Sequence, residues 1–561
     1  MSETLSPSHA NRAHPWQKVY DRLGLEDLPF DDRPLGDYIQ SHATHHPDAP
    51  ALQYFTKTLS YFEYNAQANK VANALVALGL QKGDVVGLHM PNIPQYAITL
   101  VALSKIGAIG SGISPLLAPP ELAHQITDAN VKVLLTLADL KPVLIGLKDI
   151  PDCLTHVVTC GAGDFLGAPA PDLAPLKSVT SLTFADFVEG QSDQFSQIEM
   201  DPQATAMIQY TGGTTGRPKG AQLSIRTLMH NPAQVGVAEP KLTLGQEVYA
   251  SAFPFFHVAG LSFLLGAARY AGHLILVPNP RDTDAFCDLM IKFPPTRLAA
   301  VPALYDMLSA NPKFKTVDFS NLKVAKTGAA PMTESTRSTL ESVIGENMLS
   351  DVFGMTETGP CYTMHPLKAL KRGSVGIPIP GAQVRIMDAE TGTQEMPFGE
   401  PGEICSTGPQ TMKGYLNLPH ETANALREID GKLWMYSGDI GYMDEDGYIF
   451  ICDRAKDMLV VGGFKVFSVE VEDKLKSHPM IAESAIIGVP DAKRPGNDIV
   501  HLYVELTEAH KDTDAETIKD SILSFMRETM TAYKIPKRIE IIDAIPLTPV
   551  GKIDKKALRK T

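Results

Sequence analysis

The sequence has six cysteines, at positions 153, 160, 287, 361, 405 and 452, and no Cys-x-x-Cys pair among them. That excludes the common zinc spacings and suits a reduced compartment without a disulfide framework. It has no block of basic residues, and its formal charge is −14, which argues against nucleic acid as the main partner. It has no apolar run near the ~20 residues that would span a bilayer. Residues Met1 to Asp32 are polar and lack the apolar core of a signal peptide, so the expected location is the cytoplasm. Internal repeats and low-complexity tracts are also missing. Without a global positive field, any anionic ligand must be met by local donors.

What is there describes an ordinary globular protein, 44% hydrophobic and 20% charged. At 561 residues the chain exceeds one core, so two or more domains are expected. Up to about Pro34 the patterning is weak and predicts a loosely attached arm. A strand follows near Ala51-Leu52-Gln53-Tyr54. Ser60 and Glu63 then have the spacing of a capping box, and Val71, Leu75 and Leu78 continue at helical spacing to Gly79. Val85-Val86-Gly87-Leu88 reads as a buried strand, Ile93 to Lys105 as a helix ended by Gly107, and Val131 to Leu135 as a further strand. Strands are also expected at Ala206 to Tyr210, Glu247 to Ala250 and Gly272 to Val277. This alternation predicts a parallel sheet flanked by helices. Between Gly373 and Tyr415 short apolar runs alternate with Gly and Pro, which suggests a small β-rich subdomain. The last ~110 residues return to an α+β pattern, with strands near 486–489 and 499–506 and a helix over 516–526.

One stretch concentrates the chemistry. Tyr210-Thr211-Gly212-Gly213-Thr214-Thr215-Gly216-Arg217-Pro218-Lys219-Gly220 holds four glycines, three threonines and a lysine after an apolar strand. Glycines let backbone N–H groups turn inward, and hydroxyls with an ammonium add donors, so the loop can cradle phosphate oxygens. It is not a Walker-type loop, because Lys219 is followed by Gly220 and not by Ser or Thr.

Four further motifs follow in order: Asp351-Val352-Phe353-Gly354-Met355-Thr356-Glu357, Tyr436-Ser437-Gly438-Asp439, Asp453-Arg454-Ala455-Lys456-Asp457, and Pro549-Val550-Gly551-Lys552. Together with the loop they resemble the adenylate-forming enzymes, which include acyl- and aryl-CoA synthetases, luciferase and peptide-synthetase adenylation domains. The resemblance runs from about Gln209 to the end. It implies a large N-terminal domain, 1–452, of flavodoxin-like α/β subdomains with a small β-rich part. A smaller mobile α+β domain, 453–561, would turn about Asp453-Arg454. The implied substrates are a carboxylic acid, ATP with Mg²⁺, and coenzyme A.

The resemblance also implies roles. Thr211, Gly212, Gly213, Thr214, Thr215, Gly216 and Lys219 would hold phosphates, with Glu357 and Thr211 as Mg²⁺ ligands and Thr356 beside them. Phe353 and Gly354 on one side, and Gly328, Ala329 and Ala330 on the other, would enclose adenine, with Asp351 near its amino group. Asp439 would accept from the ribose hydroxyls beside Arg454. His257, after Phe253-Pro254-Phe255-Phe256, would stand at the mouth of the acyl pocket. Lys552 would meet the carboxylate and α-phosphate. Gly462, Gly463, Phe464 and Lys465 would line the path of the CoA thiol.

Two departures bear on the acid. Gly213 stands where many relatives have Ser but fatty acyl-CoA ligases often have Gly, whereas Val352 stands where many have Gly, and its added side chain would shorten the acyl pocket or force the acid to one side. A medium- to long-chain fatty acid is expected. An aryl or short branched acid, transfer to a carrier protein, a light-emitting oxygenase and a nucleotide-binding protein without catalysis remain alternatives. A homodimer and a peripheral membrane contact stay open.

Overall fold

The computed structural model describes residues 14–29, 32–147, 149–168, 176, 178–211, 218–462, 464–491, 494, 497–547 and 553–560. The chain forms two compact units. The first comprises Met1–Val384, Ser406–Met435 and Asp446–Tyr448; the second comprises Arg385–Cys405, Tyr436–Glu445 and Ile449–Thr561.

Local signals set the first unit's elements. The Ser60 hydroxyl accepts from the Glu63 N–H while the Glu63 side chain accepts from the Ser60 N–H, which starts helix Tyr61–Ala77 with a capping box. Losing such a cap costs about 1 kcal/mol. Helix Pro94–Ile106 starts on proline and stops at Gly107, whose φ of 68° is left-handed. Nearly all its side chains are buried, as expected for a helix apolar on every side.

Among the described residues, eight strands form one sheet and nine form another. The centre of the first sheet is parallel, with Ile109–Ile113 between Val85–His89 and Thr205–Thr211. The second is parallel through Val248–Ser251, Arg297–Ala300, Val324–Gly328 and Leu349–Gly354. Side chains from both sheets and from helices Leu35–His45, Tyr61–Ala77, Pro94–Ile106 and Val258–Arg269 merge into one core. In parallel sheets of this kind, ligands bind beyond the carboxyl ends of the strands. Thr211, Gly328 and Gly354 are all carboxyl-end residues.

The N-terminal arm corrects the sequence reading. Helix Gln17–Leu23 buries Val19 and Tyr20, and Trp16 before it is buried too. The Tyr20 hydroxyl donates to the Pro378 carbonyl at 2.6 Å, 358 residues away. The arm from Trp16 onward is therefore docked on its unit. Three buried aromatic or aliphatic side chains hold it, too few to leave a periodic pattern.

The second unit has a three-stranded sheet. Ile481–Pro490 pairs antiparallel with Asp498–Leu506, which pairs parallel with Arg538–Ile542. Helices Ser468–Leu475 and Ala515–Thr529 bury Val471, Leu475, Ile518, Ile522 and Met526 in the core of this unit. A short hairpin joins Leu459–Val461 to Phe464–Val466. Among the described residues no helix is long and apolar enough to cross a membrane. The six cysteines are free thiols.

Candidate active site

In the first unit the strand that leads into the phosphate loop is answered by an antiparallel one, Lys219–Ser224, with Thr211 opposite Lys219. Gly212, Gly213, Thr214, Thr215 and Gly216 lie outside the described residues, so their roles rest on the sequence. Lys219 is described. Its Nζ is 2.6 Å from Glu421 Oε2 and 4.8 Å from the centre of the Tyr415 ring. The hydrogen bond from Lys219, then its charge, hold the Glu421 carboxyl below its ordinary range.

Tyr415 links this lysine to the second expected group. Its hydroxyl donates to Glu357 Oε1 at 2.6 Å, and the Glu357 carbonyl accepts from the Met412 N–H at 2.8 Å. Glu357 sits in the short turn Thr356–Thr358 and is only 5% exposed. Burial first, and the Glu357 carboxylate second, push the Tyr415 phenol far above its ordinary pKa, so it stays a donor at neutral pH. Neither Tyr415 nor Glu421 was found from sequence. Nothing local marks either residue, and Glu421 lies 202 residues beyond Lys219.

The described residues bring no three or more His, Cys, Asp or Glu side chains together as a cation cage. One buried carboxylate, joined through Tyr415 to Lys219, instead fits Mg²⁺, which keeps waters and takes phosphate oxygens as ligands. When bound, the ion would neutralise charge on the phosphates, with Glu357 its ligand from the protein. Thr211, the other expected ligand, ends its strand half-exposed.

A second cluster lies at the carboxyl ends of Val324–Gly328 and Leu349–Gly354, where Thr327 pairs with Asp351 and Gly328 with Val352. A Cβ on Gly328 would stand 2.5 Å from the Val352 carbonyl oxygen, and one on Gly354 1.9 Å from that of Pro360, so only glycine fits either place. Ala329 takes a left-handed φ of 67°, which turns the chain sharply before Ala330. Side chains alternate along a strand, so Asp351 and Phe353 share one face and Val352 takes the other. The Phe353 ring meets Tyr362 edge-on at 5.4 Å. The Asp351 carboxylate is gripped by Arg337 at 2.6 Å and by His365 at 3.1 Å. Burial alone would raise its pKa, but the His365 and Arg337 contacts outweigh burial and hold it below the ordinary value.

His257 caps helix Val258–Arg269, its Nδ1 accepting from the Ala259 N–H at 3.3 Å. The segment before it is fixed by Asn92, which donates to the Phe253 carbonyl and accepts from the Phe255 N–H. His257 thus has a structural task besides any contact with an acid.

In the second unit Asp439 and Arg454 face each other across an antiparallel pair, and Arg454 Nε is 2.8 Å from Asp439 Oδ1. The preceding Gly438 turns at φ 71° and donates to Glu403 at 2.9 Å. Gly462 turns the short hairpin at φ 61° and donates to Asn497 at 2.5 Å. Phe464 beyond it is exposed and stacks on Tyr533 at 4.8 Å, while Lys465 is exposed, its charge helping to lower the Asp388 pKa. Gly463 and Lys552 lie outside the described residues. Near Lys552 in sequence, the Lys555 side chain is 10% exposed. Its Nζ is 2.7 Å from Glu472 and also donates to Ser468. Ser468 in turn donates its N–H and hydroxyl to Asp453, the expected pivot.

A model of the family "AMP-binding enzyme" matches residues 39–416, and one of the "AMP-binding enzyme C-terminal domain" matches 470–552. A long-chain-fatty-acid–CoA ligase of Bacillus subtilis (strain 168) is 33% identical over 97% of this chain and 97% of its own. A 4-coumarate–CoA ligase of Pinus taeda is 30% identical over 96% of this chain and 97% of its own. The crystal structure of ATP-bound MatB from Rhodopseudomonas palustris superimposes with a TM-score of 0.80 at 29% identity, covering 94% of this chain and 99% of that one.

Proposed function

The chain belongs to the AMP-binding enzyme family, and from that premise we propose that it is an ATP-dependent ligase joining a medium- to long-chain fatty acid to coenzyme A. The observation that carries the reading is the Lys219–Tyr415–Glu357 arrangement. It joins a buried carboxylate through Tyr415 to the lysine that follows the glycine–threonine motif in sequence. The full-length likeness to long-chain-fatty-acid–CoA ligases supports the choice of acid.

In the first half-reaction a carboxylate oxygen of the acid attacks the α-phosphorus of ATP, and pyrophosphate leaves. Both reactants are anions, so the site has to neutralise charge and align the attack. Lys219 offers its ammonium to the phosphates in exchange for Glu421, and Lys552 serves the carboxylate and α-phosphate. Asp351 and Phe353, with Gly328 to Ala330, hold adenine, while Asp439 and Arg454 hold the ribose. His257 borders the acid. In the second half-reaction the CoA sulfur attacks the acyl carbonyl and AMP leaves, along a path formed by Gly462, Gly463, Phe464 and Lys465. A turn of 453–561 about Asp453 separates the two steps, as in other hinge motions where few residues absorb the torsion. Lys552→Ala should then block adenylation and spare thioester formation from supplied acyl-AMP, whereas Gly463→Leu should do the reverse. Equal loss of both steps in both variants would contradict the alternation.

The cytoplasm is the proposed compartment; a homodimer and peripheral membrane contact are decided by gel filtration and vesicle flotation. The deciding experiment is AMP release, dependent on CoA, across fatty, aryl and short branched acids. Highest kcat/KM for fatty acids is expected. A preference for aryl acids would move the enzyme to the second reading, which the 4-coumarate–CoA ligase likeness favours. Activity only with a carrier protein in place of CoA would overturn the choice of thiol.

A further inference from the structure

We propose that Arg337 and His365 are positioning residues for base selection. They fix the Asp351 carboxylate with one oxygen engaged and the other left to accept from the exocyclic amino group of adenine. The inference rests on the adenylation reading and assigns to two side chains a role that sequence alone did not suggest.

Arg337 projects from helix Glu334–Ile344 and is largely buried. Its Nη2 donates to Asp351 Oδ2 at 2.6 Å and its Nη1 to the Leu349 carbonyl. His365 is buried and sends Nδ1 to the same Oδ2 at 3.1 Å. Its Nε2 faces the Ser374 hydroxyl at 2.8 Å and the Lys371 carbonyl at 3.1 Å. The Ser374 hydroxyl also lies within hydrogen-bond reach of the Lys371 carbonyl, at 2.8 Å. The carboxylate only accepts, so the Nδ1 contact is made with the hydrogen on Nδ1.

The Arg337 guanidinium and the His365 ring thus converge on Asp351 Oδ2. Among the described residues no hydrogen bond reaches Oδ1. Asp351 and Phe353 alternate on one strand face, about 6.5 Å apart along it, which suits a flat base on the ring with its edge at the carboxylate. A carboxylate accepts and does not donate, so it favours the amino group of adenine and disfavours the carbonyl at the same place in guanine and hypoxanthine. Without its two partners the carboxylate would be free to change rotamer and to take up a proton, and the acceptor would be lost.

The test pairs a change in the protein with a change in the ligand. Acid-dependent pyrophosphate exchange is measured with ATP and with purine riboside triphosphate, which lacks the amino group. A hydrogen bond to a charged group corresponds to a preference for ATP of roughly 10- to 100-fold in kcat/KM. Wild type should show that preference. Arg337→Gln and His365→Asn should reduce it to within about threefold, mostly through KM for ATP, with little change in kcat for the analogue. Arg337→Lys, which keeps the charge, should restore part of it. Equal losses for ATP and the analogue in the variants would mean a merely structural role and would overturn the inference. If Arg337→Gln fails to fold, the wild-type comparison and His365→Asn still decide. A wild-type enzyme active as a ligase but indifferent to the amino group would sink the inference and leave the ligase reading intact. No exchange with any acid would sink that reading instead.

Discussion

Two lysine–carboxylate pairs, one in each unit, look alike in distance and differ in setting. Lys219 is 2.6 Å from Glu421, and the two side chains are 23% and 45% exposed. Lys555 is 2.7 Å from Glu472, and both are 10% exposed. The first pair is open to water and contributes at most about 1 kcal/mol. A triphosphate can take its lysine at little cost. The second is buried with Ser468 and Asp453, where each charge depends on the others. The difference separates a lysine held ready for a ligand from one fixed into the frame.

The largest effect should come from breaking the buried pair. Lys555→Met leaves Glu472 and Asp453 without their cation, and should cost about 3–5 kcal/mol. Chemical denaturation followed by a probe in the second unit measures this. A loss below ~1 kcal/mol would place Lys555 with the exposed pairs.

Glu357→Gln is the next in size, and it tests the open side. The Tyr415 hydroxyl can still donate to the amide oxygen, so the melting temperature should hold. The lost negative charge should lower acid-dependent pyrophosphate exchange about 100-fold, or ~2.7 kcal/mol. Wild-type exchange at limiting Mg²⁺ would remove Glu357 from the metal.

A pH series sharpens the contrast further. Burial outweighs the Lys555 ammonium and pushes the Glu472 carboxyl up to about 7 from its ordinary 4.5. Burial also raises Asp453. A carboxyl whose pKa is higher in the folded state contributes stability that is full at low pH and is lost as pH rises through the folded value. The second unit should therefore lose stability as pH rises from about 4.5 to about 7, and Glu472→Gln should flatten most of that slope. An unchanged slope would show that another group carries it.

The smallest effect belongs to the exposed acid. Glu421→Gln should change stability by no more than about 0.5 kcal/mol and lower the KM for ATP about two- to threefold by freeing Lys219. A raised KM would show that Glu421 helps to aim the lysine.

What the sequence disclosed and what it hid divide along the same line. Ser60 with Glu63, the stop at Gly107 and the strand that leads into the glycine–threonine loop are local, and each forms as its spacing predicts. The pairs that give the candidate site its electrostatics span distant residues. Glu421 reaches Lys219 and Tyr415 reaches Glu357 across 202 and 58 residues, as the docked arm's Tyr20 reaches Pro378 across 358. No periodicity records such meetings. Arg337 and His365 flank Asp351 by 14 residues on either side, one on a helix and one beyond an antiparallel return. Their convergence follows from the turn between strands and not from any motif.

The central claim, a ligase that works through an acyl-adenylate, is tested most directly by pyrophosphate exchange into ATP with a fatty acid present and CoA absent. The account predicts rapid exchange that depends on the acid, followed on addition of CoA by acyl-CoA, AMP and pyrophosphate in equal amounts. Exchange that requires CoA, or ADP and phosphate as products, would contradict it.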